Sequence, residues 1–208
     1  MRIILEKIGR RFNREWIFRN IDYTFEPGNA YAILGANGSG KSTLLQVISG
    51  SLSSSEGQIS YFKQGRSADI EEVYKELSLA APYMELIEEF SLAEHLDFHF
   101  QFKSYRNGYD RASVLALLGM EAARHKAIRN FSSGMKQRVK LALAFCSDTP
   151  VLLLDEPTSN LDLQGIEWYL SLAEQLSPGR LVIVCSNQEH EYTFCDHFLR
   201  LSDYKQKL

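Results

Sequence analysis

Apolar positions along this chain fall into two kinds of run, and each predicts one kind of element. Unbroken apolar stretches at Ala30–Leu34, 151–154 and 181–185 are bounded by Gly, Pro or charge, the pattern of strands buried on both faces. Residues 2–8 alternate apolar with polar, as a strand does when one face is wet, and a last strand is expected near 198–201. Helical spacing follows two of the strands, at Lys41–Ile48 and 165–176. Strands alternating with helices predict an α/β domain built on a parallel sheet. Residues 85–147 read differently, as mostly helix. Ser91 and Glu94 have the spacing of a capping box, and Asp110 opens a Val114, Leu115, Leu117, Leu118 stripe closed by Gly119. A third helix is expected over 134–145. The expected organisation is one unit over 1–208, with an α/β core (1–84 and 148–208) and a helical subdomain (85–147).

Composition narrows the class. The chain has 208 residues, 45% apolar and 24% charged, enough to bury a core without disulfides or metal. Its net charge of -3 lacks the basic excess of a nucleic-acid binder, so no nucleic-acid partner is expected. Cys146, Cys185 and Cys195 are scattered and odd in number, which suits buried, inert thiols in a reducing compartment. No stretch approaches the roughly 18 apolar residues of a membrane span. The expected location is cytoplasmic.

Chemistry enters at Gly35-Ala36-Asn37-Gly38-Ser39-Gly40-Lys41-Ser42-Thr43, a GxxxxGK[ST] pattern placed between a predicted strand and a predicted helix. Glycines there let successive backbone N–H groups converge at a helix N-terminus, which holds phosphate without side-chain charge. Lys41 is expected to reach the β- and γ-phosphates, and the Ser42 hydroxyl to ligate Mg²⁺. Downstream, Asp155 and Glu156 close the apolar run 151–154. Ligands of open α/β sheets sit beyond the carboxyl ends of the strands, so both acids are aimed at the same crevice. Asp155 suits Mg²⁺, and Glu156 suits the attacking water.

Three motifs in this order resemble the nucleotide-binding ATPase subunit of an ATP-binding cassette (ABC) transporter. The phosphate loop is the first. Phe131-Ser132-Ser133-Gly134-Met135-Lys136-Gln137-Arg138 is similar to the family's signature segment, and Asp155-Glu156-Pro157-Thr158-Ser159-Asn160-Leu161-Asp162 to its acidic motif with the loop that follows. The resemblance implies a P-loop NTPase core with a mainly parallel sheet, an N-terminal antiparallel β part and a helical subdomain carrying the signature. It also implies ATP and Mg²⁺ as cofactors and a head-to-tail dimer, homomeric or with another such subunit. Each ATP would lie between the phosphate loop of one copy and Ser132 and Gly134 of the other, with Ser159 and Asp162 linking the two sites. Phe12 falls where the family places an aromatic on adenine. The implied partner is a separately encoded transmembrane permease, with the chain on the cytoplasmic face of the membrane.

Two positions depart from that pattern. The glutamine usual between core and helical subdomain is absent, with Pro82 or Tyr83 in its place and no glutamine between Gln64 and Gln101. After 181–185, Asn187 stands where a histidine usually bonds the γ-phosphate. An amide can donate to phosphate but carries no charge and no proton. His190 is expected to be a solvated loop residue. Ser133 and Met135 also depart from the signature. Slow hydrolysis is expected, and two alternatives stay open: a turnover-impaired switch or silent heterodimer partner, and a soluble ABC ATPase acting on a non-membrane partner. Phe98, Phe100 and Phe102 are expected to pack in the core, the alternative being an exposed docking patch for the permease.

Overall fold

The alternating N-terminal segment runs past its expected end. Strand β1 (Arg2–Phe12) reverses at Asn13 and Arg14 into β2 (Glu15–Phe25), and Asn13 takes the left-handed φ of +53° that a tight hairpin requires. The computed structural model, which describes residues 1–205, continues with β3 (Ala30–Leu34), α1 (Lys41–Ile48), β4 (Glu56–Lys63), β5 (Arg66–Ala68), α2 (Val73–Glu76) and β6 (Leu77–Ala80). Helices α3 (Leu92–Phe102), α4 (Arg111–Leu118) and α5 (Ser133–Cys146) come next. The chain then closes with β7 (Val151–Asp155), α6 (Leu163–Leu176), β8 (Leu181–Ser186) and β9 (His197–Arg200).

Two sheets result. The antiparallel one runs β2-β1-β4-β5, and the other, β6-β7-β8-β3-β9, is parallel throughout. The unbroken apolar runs now have their reason. Leu181, Ile183 and Cys185 of β8 pack with α1 and the antiparallel sheet, whereas Val182 and Val184 pack with α5 and α6 on the opposite face. Both faces are dry, so nothing selects alternation.

Local chemistry sets the helix ends. Ser91 Oγ accepts from Glu94 N (3.3 Å) and Glu94 Oε2 accepts from Ser91 N (2.8 Å), and Asp110 with Ser113 repeats the box on α4. Gly119 ends α4 in the left-handed conformation.

Tertiary partners account for what periodicity does not reveal. Strand β6 carries a polar residue at its centre, Ser78, whose hydroxyl donates to Ala144 O at 2.8 Å. Buried Arg180 donates to Ser78 Oγ (2.9 Å) and to Phe145 O (3.1 Å). Its guanidinium thus faces the carbonyl end of α5, where a cation is favoured.

The expected core role of the phenylalanines on α3 is overturned: Phe98 is 38% and Phe102 70% exposed. They are four residues apart and share a helix face, while Leu92, His95 and Leu96 supply the buried one. Phe100 alone packs against the core. Among the described residues, no helix is long and apolar enough to cross a membrane.

Candidate functional site

The loop between β3 and α1 is shaped by its glycines. Gly40 has a φ of +104°, and a Cβ on it would lie 2.3 Å from Ile17 Cγ2, so only glycine permits the hairpin to approach this closely. No side chain caps α1, which leaves its first-turn N–H groups free for an anion. Lys41 is buried, and its Nζ donates to Gly35 O (2.8 Å) and Ala36 O (3.3 Å). Ser39 Oγ is also buried and has no partner. Two cationic side chains, Arg14 and Lys205, and one acid, Glu15, line the adjoining cleft of about 490 Å³, which Trp16, Ile17, Gly38 and Ser39 complete.

At the end of β7 the Asp155 carboxyl is buried, and neither of its oxygens has a hydrogen-bond partner. Burial pushes its pKa up to about 6, against the pull of the neighbouring Ser42 hydroxyl, and Glu156 adds to the rise. A buried acid with two unused oxygens beside a hydroxyl is a donor set that fits Mg²⁺: hard oxygens, one of them anionic. Glu156 follows with a φ of +42°, a conformation that costs a non-glycine residue on the order of 1–3 kcal/mol unless its surroundings enforce it. Here they do. Glu156 N donates to Cys185 O (2.9 Å), Glu156 O accepts from Ser159 N (3.0 Å), and Gln137 of α5 donates to Pro157 O (2.8 Å).

The end of β8 brings Asn187 to the phosphate loop, where its Nδ2 donates to Asn37 Oδ1 at 3.0 Å. Glu191 belongs to none of the sequence motifs. It is fully buried, and its carboxylate accepts from Thr158 N (2.8 Å), Thr158 Oγ1 (2.5 Å) and Ser186 Oγ. Its own carbonyl accepts from Tyr169 Oη at 2.7 Å. Glu191 therefore ties the turn that carries Glu156 to the strand end that carries Asn187. In the run Gln188-Glu189-His190-Glu191 no local signal separates it from a solvated acid. His190 is not the solvated residue expected: it is half-buried, with Nε2 3.0 Å from Thr158 Oγ1.

Of the two residues at the glutamine position, Tyr83 reaches the crevice. The residue is 45% exposed, but partial burial of its phenol, together with nearby Asp155, pushes its pKa up to about 12, with the Gln46 side chain pulling the other way. Gln46 lies one turn after Ser42 on α1, so both side chains meet that end of the sheet. Pro82 is held instead by its carbonyl, which accepts from Lys140 Nζ of α5 at 2.9 Å.

The signature residues sit elsewhere. Ser132 caps α5 by accepting from Met135 N (3.2 Å), and a Cβ on Gly134 would lie 2.9 Å from Asn160 O. Among the described residues, neither forms a hydrogen bond to the phosphate loop. Asp162 caps α6 through Gly165 N (2.8 Å). Phe12 pairs across the hairpin with Glu15, two residues before the Ile17 that meets Gly40, and is 47% exposed.

The chain is similar to known proteins in sequence and in fold. The sequence model of the ABC transporter family matches residues 18–159. The uncharacterized ABC transporter ATP-binding protein YybJ of Bacillus subtilis is 29% identical over 197 residues, covering 94% of this chain and 90% of that protein. The cytochrome c biogenesis ATP-binding export protein CcmA of Xanthomonas axonopodis is 34% identical over 154 residues, 74% of this chain and 71% of its own length. Among solved structures, the ATP-binding cassette MJ0796, as a post-hydrolysis dimer bound to ADP and Pi, superposes with a TM-score of 0.81. That match has 22% identity and covers 99% of this chain and 97% of the other.

Proposed function

The chain belongs to the ABC transporter family, and on that premise we propose that it binds MgATP in this crevice and hydrolyses it to power a separately encoded membrane permease. The observation that carries the reading is the buried, unpartnered Asp155 carboxylate beside Ser42 at the foot of a phosphate loop. Asp155 and Ser42 hold Mg²⁺, which when bound draws negative charge from the phosphate oxygens. The loop amides from Gly35 to Thr43 cradle the phosphates, and Lys41 stabilises charge on the β- and γ-groups. Glu156, fixed in its left-handed turn, orients and deprotonates the attacking water. Asn187 offers its amide to the γ-phosphate once it leaves Asn37. Phe12 receives adenine on its open face.

Ser132 and Gly134 complete the site from a second copy or from another ATPase subunit of the family. Among the described residues neither hydrogen-bonds to its own phosphate loop, which supports this, as does the dimeric cassette that the fold matches. Ser159, whose N–H donates to Glu156 O, and Asp162, which caps α6, link the paired sites. Residues 85–147 then act as the lobe that carries the signature. The replacement of the expected glutamine and histidine by Tyr83 and Asn187 favours slow hydrolysis.

A groove of about 260 Å³ beneath α3 supports a permease as the partner. Its walls include Met84, Ile87, Phe98 and Phe102, with Glu85, Lys103 and Lys140 as their charged members, and Tyr74, whose carbonyl accepts from Lys103, is exposed. The expected occupant is an amphipathic cytoplasmic helix of the permease, which would bury this apolar surface. Phe102→Asp, a change at an exposed site, is expected to abolish co-purification with the native membrane complex while leaving the purified subunit's ATP affinity unchanged. Undiminished co-purification would place the partner on another face.

A further inference from the structure

We infer that Arg10 is the fixed back-plate of the nucleobase platform: its guanidinium holds one face of Phe12 so that the other face is presented to adenine. The inference rests on the reading that Phe12 receives the base. Arg10 and Phe12 are two residues apart on β1 and share a face of the strand, and the Arg10 guanidinium carbon lies 4.6 Å from the centre of the Phe12 ring. Arg10 does not swing freely. Its Nη1 donates to Ser53 O at 3.0 Å, and its Nε is buried.

The anchoring loop is itself fastened to the hairpin. Ser55 N donates to Gly9 O (2.7 Å) and Arg11 N to Ser55 Oγ (3.1 Å). Since that loop continues directly from α1, the helix that opens at the phosphate loop also positions the group behind the base. A cation over one face fixes the ring's orientation and polarises it. Stacking then costs less ordering entropy when the base arrives.

The other aromatic at the hairpin tip, Trp16, lines the cleft beside Gly38 and Ser39 but already carries two cations. Trp16 has the Arg19 guanidinium 4.5 Å and the Arg11 guanidinium 5.4 Å from its ring centre, and Arg19 is locked to Glu56 by two hydrogen bonds of 2.6 and 3.0 Å. Phe12 keeps its outer side open.

The test is a double-mutant cycle on the whole chain, with affinities for MgATP and for inorganic tripolyphosphate measured by calorimetry. Tripolyphosphate has the phosphates and no base. Phe12→Ala is expected to weaken ATP binding about 10-fold through lost base stacking and to leave tripolyphosphate unchanged. Arg10→Met keeps the packing of the stem and should weaken ATP alone by about 3-fold, with Arg10→Lys falling between it and the wild type. The double variant should lose no more than Phe12→Ala alone.

Three outcomes overturn the inference. If Arg10→Met binds ATP normally while Phe12→Ala does not, Phe12 is a platform without a back-plate. Equal weakening of ATP and tripolyphosphate by Arg10→Met would make Arg10 a phosphate-attracting charge. An unaffected Phe12→Ala would remove the platform itself, and with it the reading on which Arg10 depends.

Discussion

Lys41→Met is expected to weaken MgATP binding by about 10²-fold or more, because a charge-assisted contact to phosphate is lost at the centre of the site. Lys41 is only 4% exposed and its ammonium is held by two backbone carbonyls. Among the described residues it forms no salt bridge. A buried cation with no salt-bridge partner, and with Asp155 acting on it only at longer range, is costly, and the fold keeps it in readiness for a polyanion. The same reasoning gives the variant a second signature: without nucleotide it should melt no lower than the wild type, and MgATP should no longer raise its melting temperature. Calorimetry and a thermal scan check both points. Wild-type affinity in the variant would mean that the loop amides bind ATP without help from Lys41.

Glu191→Ala should cost about 3 kcal/mol of stability, since it leaves the Thr158 N–H without an acceptor in a dry interior and the Thr158 and Ser186 hydroxyls with only His190 Nε2 and Gln188 O to turn to. For a chain of this size that corresponds to a fall in Tm of roughly 6–12 °C. Glu191→Gln keeps one carbonyl oxygen for Thr158, and Ser186 can turn to accept from the new amide, so its loss should be nearer 1 kcal/mol. Turnover should fall further than ATP affinity in both variants. Glu191 spans the turn of Glu156 and the strand end of Asn187, groups that act on the γ-phosphate and not on adenine. A Glu191→Ala variant that melts with the wild type would show that the network contributes nothing to the fold.

Much of this could be read from the chain alone, and for a common reason. The strands at Ala30–Leu34, 151–154 and 181–185, the caps at Ser91 and Asp110, the stop at Gly119 and the phosphate loop are local patterns, each with a local cause. Helices α3, α4 and α5 begin within a residue or so of their expected starts. What stayed hidden depends on partners far away in sequence. Strand β6 is short and polar at Ser78, and its burial makes sense only with Arg180 and Ala144 in place. Strand β2 is bulged near Asn20, which spoils a period of two, and β4 places Gly57 opposite a bulge at Lys7 of β1. Glu191 looks like any surface acid until Thr158 and Ser186 close over it. Phe98 and Phe102 read as core because aromatic residues usually are, and they lie outside it because the other side of α3 already fills the space. At the site, the motif residues were legible through their chemistry. The place of Arg10 behind Phe12 needed geometry.

The most direct measurement is phosphate release from MgATP by the purified wild type beside Glu156→Gln, after calorimetry has established that both bind ATP. Turnover in the wild type that falls about 10²–10⁴-fold in the variant, with ATP affinity preserved, is the expected result. Equal turnover in the two proteins, or none in a wild type that binds ATP and is joined to its permease, would contradict hydrolysis at this site.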